Sequence, residues 1–246
     1  AWAAPLSGDK TYLVSDGLIY LAQKEGDIWN TTFVEYDTTA WDFYSIGLSP
    51  DQNQLLAHGV PKTDASPHEG GGDYYLLDLD TPTSVGDITH LPSSVNTVSY
   101  DIFPAFTPDG DILLSTWGKV EGQEQAGRGD IYLAEANGDS YEVQPIAEGL
   151  NTEQPEAGAS MGPNGEILLF HRSDRDLGLP DRIFKMERTE SGWSEAEIVG
   201  PPVTRDFTWT YAGRIDPTGE YLFFNSGFRG QIEIFRIPIS EIPDLN

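Results

Sequence analysis

Four short turns recur in phase along this chain, and their spacing constrains the fold more than any other feature. They are Ser49-Pro50-Asp51-Gln52, Thr107-Pro108-Asp109-Gly110, Gly162-Pro163-Asn164-Gly165 and Asp216-Pro217-Thr218-Gly219. Proline presets φ for a turn and glycine reaches the positive φ that most residues avoid, so each tetrapeptide reverses the chain. Successive prolines lie 58, 55 and 54 residues apart. Each turn leads into a β run, at Gln54 to His58, Ile112 to Thr116, Ile167 to His171 and Tyr221 to Asn225. After a polar loop a second run follows, at Asp73 to Leu77, Asp130 to Ala134, Arg182 to Met186 and Gln231 to Ile237. Three copies continue into an outer run, at Asp87 to Leu91, Tyr141 to Ile146 and Trp193 to Val199. A repeat of about fifty residues with four strand-sized segments is the signature of propeller blades.

The N-terminal segment reads as a fifth, degenerate copy. Its turn is Leu6-Ser7-Gly8-Asp9, its strands Thr11 to Ser15 and Leu18 to Leu21, and its outer strand Trp29 to Tyr36. The expected fold is therefore all-β, a single five-bladed β-propeller over residues 1–246, with repeats near 1–40, 41–98, 99–152, 153–205 and 206–246. Eleven Tyr, eleven Phe and six Trp against two Met favour strands, and no long apolar period of helical spacing appears. After its third strand the last copy retains only Pro238 to Asn246, so either that tail supplies a fourth edge or the blade stays three-stranded.

Forty acidic residues against fourteen basic ones give a formal net charge of −26, a potential that repels phosphate backbones and anionic membranes. Nucleic acid is therefore a poor candidate partner and is not expected. The acidity reads as a solvated surface or as cation binding; no cofactor is expected, although the acidic excess leaves room for a divalent cation. Without cysteine there is no disulfide, thiolate zinc site or thiol nucleophile. No apolar run approaches the roughly 20 residues of a membrane span, so membrane insertion is not expected. The opening A-W-A-A-P suits a chain exposed by signal-peptide cleavage, and artificial trimming explains it equally well. The expectation is a secreted or periplasmic monomer.

The phrases P-A-F-T-P-D-G-D-I-L-L-S (Pro104 to Ser115), R-G-D-I-Y-L (Arg128 to Leu133), S-G-W-S-E (Ser191 to Glu195) and D-P-T-G-E-Y-L-F-F-N-S (Asp216 to Ser226) carry a resemblance. The chain resembles the TolB-like, WD40-like β-propeller repeats, built on a Ser-Pro-Asp-Gly turn, a Leu-Phe-Phe-Ser run and an Asp-Ile-Tyr strand. The resemblance covers nearly the whole chain and implies the propeller fold. It leaves function open, because such repeats serve periplasmic scaffolds, outer-membrane assemblies and some polysaccharide lyases. The chain departs from the pattern where Asp51-Gln52 replaces Asp-Gly and where the first copy lacks the proline.

In a propeller the innermost strands line a channel, and loops at its mouth carry function. Seven residues before the turn proline stand Phe43, Asp101, Glu156 and Thr210, and one further back Asp42, Tyr100, Pro155 and Trp209. Asp101 and Glu156, at equivalent places in adjacent blades, could act as a catalytic carboxylate pair or as backbone acceptors that order loops. His58 and His171 end equivalent strands two blades apart and suit a general base, a metal ligand or ordinary hydrogen-bonded histidines. Arg172 and Arg175 could clamp a carboxylate, or pair with Asp174, Asp176 and Asp181. Tyr44, Tyr100, Trp117, Trp209 and Tyr211 could stack on sugar rings or pack between blades. Two functions follow from these residues. One is an exported module binding a glycan or protein ligand at the channel mouth, without catalysis. The other is a carbohydrate-active enzyme, a lyase or hydrolase, using Asp101, Glu156, His58 and His171.

Overall fold

This computed structural model describes residues 2–63, 68–138, 140–173, 178, 180–205, 208–228 and 231–245. The described residues form five antiparallel sheets, each from one contiguous stretch of chain. The first holds β1 (Trp2–Ser7), β2 (Lys10–Ser15), β3 (Leu18–Glu25) and β4 (Ile28–Phe33). The second holds β5 (Trp41–Leu48), β6 (Gln54–Pro61), β7 (Asp73–Thr81) and β8 (Ser84–His90), and the third β9 (Asp101–Phe106), β10 (Ile112–Thr116), β11 (Asp130–Asn137) and β12 (Ser140–Gln144). In the fourth, β13 (Glu156–Met161), β14 (Ile167–Arg172) and β15 (Arg182–Thr189) precede an outer edge split into β16 (Gly192–Trp193) and β17 (Glu197–Ile198). The fifth has three strands, β18 (Trp209–Ile215), β19 (Tyr221–Phe228) and β20 (Gln231–Pro238). The expected five-bladed propeller is present.

The four turns close as the repeat predicts, with Gln52, Gly110, Gly165 and Gly219 each donating a backbone N–H to the residue three earlier. All four adopt positive φ, and Gln52 does so at 62° with a side chain attached. Left-handed backbone costs a non-glycine residue about 1–2 kcal/mol. Gln52→Gly should therefore raise stability by roughly 1 kcal/mol, less the added freedom of glycine in the unfolded chain. The shift of the urea midpoint checks this, and a destabilised variant would show that the turn carries no strain.

The core lies between successive sheets. Leu56, Tyr74, Ile112 and Leu114 fill the space between the second and third blades, Leu113, Ile131, Leu168 and Phe170 that between the third and fourth, and Leu169, Ile183, Leu222 and Phe224 that between the fourth and fifth. The tail adds no strand. It winds into two 3-10 turns, buries Ile242 and Leu245 in the last of these clusters, and accepts the Gly200 N–H on the Asp244 carboxylate at 2.7 Å.

Every inner strand from β5 onward carries a bulge, between Phe43 and Ser45, Ile102 and Ala105, Ala157 and Ser160, and Tyr211 and Arg214. A bulge frees backbone groups, and the neighbouring blade satisfies them. Ser45 Oγ accepts the Phe103 N–H at 3.1 Å, and Ser115 Oγ accepts that of Gly158 at 3.0 Å. The same kinks bring Phe103 (φ 55°) and Ala212 (φ 58°) into the left-handed region. In the middle of the ring Trp2 stacks flat on Phe103 with centroids 4.5 Å apart, Phe103 meets His171, and the Arg214 guanidinium lies over Trp2. This column of rings separates two mouths, one at the strand starts and one at the proline turns.

Candidate functional site

The strand-start mouth is built on a short motif that occurs twice, Asn96-Thr97-Val98-Ser99-Tyr100-Asp101 and Asn151-Thr152-Glu153-Gln154-Pro155-Glu156. Each threonine donates both its N–H and its hydroxyl to the carboxylate that opens the next inner strand. Thr97 reaches Asp101 at 2.5 and 3.0 Å, and Thr152 reaches Glu156 at 3.1 and 2.6 Å. Each asparagine clamps the third strand of the preceding blade. Asn96 accepts the Tyr74 N–H at 2.7 Å and donates to the Tyr74 carbonyl at 3.3 Å, while Asn151 does the same for Ile131 at 2.8 and 2.9 Å. Sequence reasoning missed these residues, although the repeated Asn-Thr at fixed offset from the carboxylates was a visible signal.

Both carboxylates are fully buried. Burial pushes Asp101 up to about 6, against hydrogen bonds from Thr116 and Thr97. Burial raises Glu156 as well, opposed by Thr152 and by Arg172, whose Nε donates to it at 2.6 Å. Arg172 also donates to the Gly149 and Leu150 carbonyls and lies over the rings of Phe170 and Phe184. Its guanidinium is thereby largely engaged.

The two histidines have different surroundings. His58 is buried, with Nδ1 3.4 Å from Ser45 Oγ and its ring beside Tyr44. Burial lowers it to about 4, with Asp73 opposing. His171 sits between Phe103 and Tyr211, burial lowers it to about 4 with Asp181 opposing, and among the described residues its Nδ1 has no hydrogen-bond partner.

A cavity of about 250 Å³ opens at this mouth, lined in part by Phe103, Glu156, His171, Trp117, Trp209 and Tyr211. Asp101 and His58 are not in its lining. Trp117 and Trp209 stand on its rim 40% and 56% exposed, and exposed Tyr100 meets Trp117 edge-on at 6.0 Å. Tyr44 is exposed near His58, and Asp42 pairs with Lys62 at 2.8 Å. Arg175, with Asp174 and Asp176, lies outside the described residues. Asp73 gathers His90 at 2.7 Å and His68 at 3.5 Å, and among the described residues no group of three or more His, Asp and Glu is arranged to hold a metal ion. No described helix is long and apolar enough to cross a membrane.

No family model matches the sequence, and no curated protein does. Solved structures match along nearly all of it. A TolB-type protein of Agrobacterium tumefaciens is 17% identical, with 96% of this chain and 76% of that one covered and a TM-score of 0.55. TolB of Acinetobacter baumannii is 16% identical over 96% of this chain, which spans only 52% of that longer protein, with a TM-score of 0.49. Oligogalacturonate lyase of Vibrio parahaemolyticus is 14% identical, with 94% and 75% covered and a TM-score of 0.47. At such identities the likeness is one of fold alone. The chain has the β-propeller architecture of the TolB-like repeat proteins, closed here as a ring of five blades.

Proposed function

We propose that this chain is an exported binding module that takes a neutral glycan at its strand-start mouth. The observation that carries this reading is the pair of exposed indoles, Trp117 and Trp209, on the rim of a cavity whose lining includes the unpartnered His171 Nδ1. Flat apolar ring faces suit the C–H faces of sugars, and a buried nitrogen without a partner suits a ligand hydroxyl. The choice of a neutral sugar follows from charge. The chain carries −26, and Arg172 is already held by Glu156 and two carbonyls. Trp209→Ala should weaken binding at least about tenfold, the loss typical of an aromatic anchor. Titration of neutral and acidic oligosaccharides, read by calorimetry, checks this, and unchanged affinity in the variant would refute the site.

A second reading as a carbohydrate-active enzyme draws on buried carboxylates with raised pKa, Asp101 and Glu156, since shifts of this kind occur at catalytic sites. Product release from the same sugars, with and without chelator, separates the two. Fractionation of the natural host tests export.

A further inference from the structure

The opposite mouth, at the proline turns, holds a cavity of about 240 Å³ with a different character. Pro50, Pro108, Pro163 and Pro217 ring it, Phe106 and Met161 add apolar surface, and Arg214 is the single charged residue in its lining. Arg214 is 6% exposed. Its Nη2 donates to the Pro104 carbonyl at 2.7 Å, its guanidinium lies over Trp2, and its buried Nε has no acceptor among the described residues. Among the described residues it has no carboxylate partner, in a chain with forty acidic residues. Asp216, the nearest acid in sequence, turns its oxygens to Thr218 and to the N–H groups of Glu220 and Tyr221.

A buried cation is costly unless an anion or a full set of acceptors compensates it, and one carbonyl and one ring face fall short of that for a group with five N–H donors. Burial accordingly lowers the Arg214 guanidinium to about 9. An apolar wall with one fork-shaped cation is complementary to a carboxylate on an apolar body. Size narrows the class. An engineered cavity of about 150 Å³ accepts benzene, so this one accommodates an aromatic or short aliphatic acid of roughly ten heavy atoms.

We propose that the proline-rimmed mouth is a second binding site, specific for a small monocarboxylic acid with an apolar body, whose carboxylate sits on Arg214. This site lies across the ring from the glycan pocket and does not depend on it.

The test compares 3-phenylpropionate with its neutral isostere 3-phenylpropanamide by calorimetry and by NMR shifts on the intact chain. The acid should bind saturably in the millimolar range or tighter, with the amide at least about tenfold weaker. Arg214→Met, which keeps the volume and removes the charge, should reduce the acid to the level of the amide, while Trp209→Ala should leave acid binding unchanged. Failure of the acid to bind, equal binding of acid and amide, or a preference that survives in Arg214→Met would overturn the proposal. The acid–amide comparison uses the unaltered protein, so it tests the site even if Arg214→Met does not fold.

Discussion

A His58→Gln, His171→Gln protein should lose much less stability on acidification than the parent chain. Both imidazoles fall from 6.5 to about 4 on folding because burial disfavours the cation. A depressed pKa contributes stability above the unfolded value, and that contribution is lost as pH falls through the folded one. The window is pH 6.5 to about 4, and the loss is about 3 kcal/mol per histidine. Asp101 has the opposite sign. Raised from 3.8 to about 6, it contributes stability below 3.8 that disappears as pH rises through 6. Asp101→Asn should therefore steepen acid destabilisation where the histidine variants flatten it. Relief of repulsion among forty acidic residues acts on all variants alike, so differences between variants isolate the buried groups. Urea midpoints at pH 7, 5.5 and 4, on the order of one pH unit or more apart, give the comparison. Parallel pH profiles for parent and double variant would show that the histidines are not held neutral.

Trp2→Ala should cost about 4 kcal/mol, the middle of the range for truncating a buried aromatic. Trp2 is 2% exposed, donates its indole N–H to the Ile46 carbonyl at 2.8 Å, stacks on Phe103 and carries Arg214 on its face. Its removal empties the middle of the ring and leaves a buried carbonyl unpaired. It also frees Phe103 to leave a left-handed backbone that this stack helps to hold. Trp2→Phe keeps the stack and loses the hydrogen bond, for a cost of about 1–2 kcal/mol. Denaturant unfolding measures both. A Trp2→Ala loss below about 1 kcal/mol would mean that the column of rings is incidental to the fold.

Blade number and strand order were legible because turn chemistry and strand alternation repeat with little noise. The split outer edge of the fourth blade was not, since Ser194-Glu195-Ala196 has no strong breaker to announce it. At the site, Glu156, Trp209 and Tyr211 could be placed at one mouth by counting back from the turn proline, and His171 and Trp117 by counting forward to the end of the next strand. Counting alone set Asp101 and His58 beside them, although neither reaches the cavity lining. The reason is local: Thr97 turns the Asp101 carboxylate into its own loop, and His58 is held by Ser45 and Tyr44. Arg214 was overlooked for a related reason. Strict alternation assigns faces along a strand, and the bulge after Tyr211 shifts that parity, so an arginine in the run A-G-R-I-D gives no sign of pointing into the ring.

The seam between the first and fifth blades has a mechanical consequence. Among the described residues no strand crosses any seam, and at this one no loop joins the two blades either; Asp9 meets Arg236 at 3.2 Å, Gly8 abuts the Tyr221 ring, and Trp29 meets Phe223 edge-on. The molecule is thus a split washer rather than a welded hoop, held shut by side chains across one cut. Under pulling force or partial denaturation such an object yields first at the cut, and amide exchange should begin in the outer blades on either side of it. A ligand that grips residues on both lips, as Trp2 and Arg214 do internally, would act as a clasp.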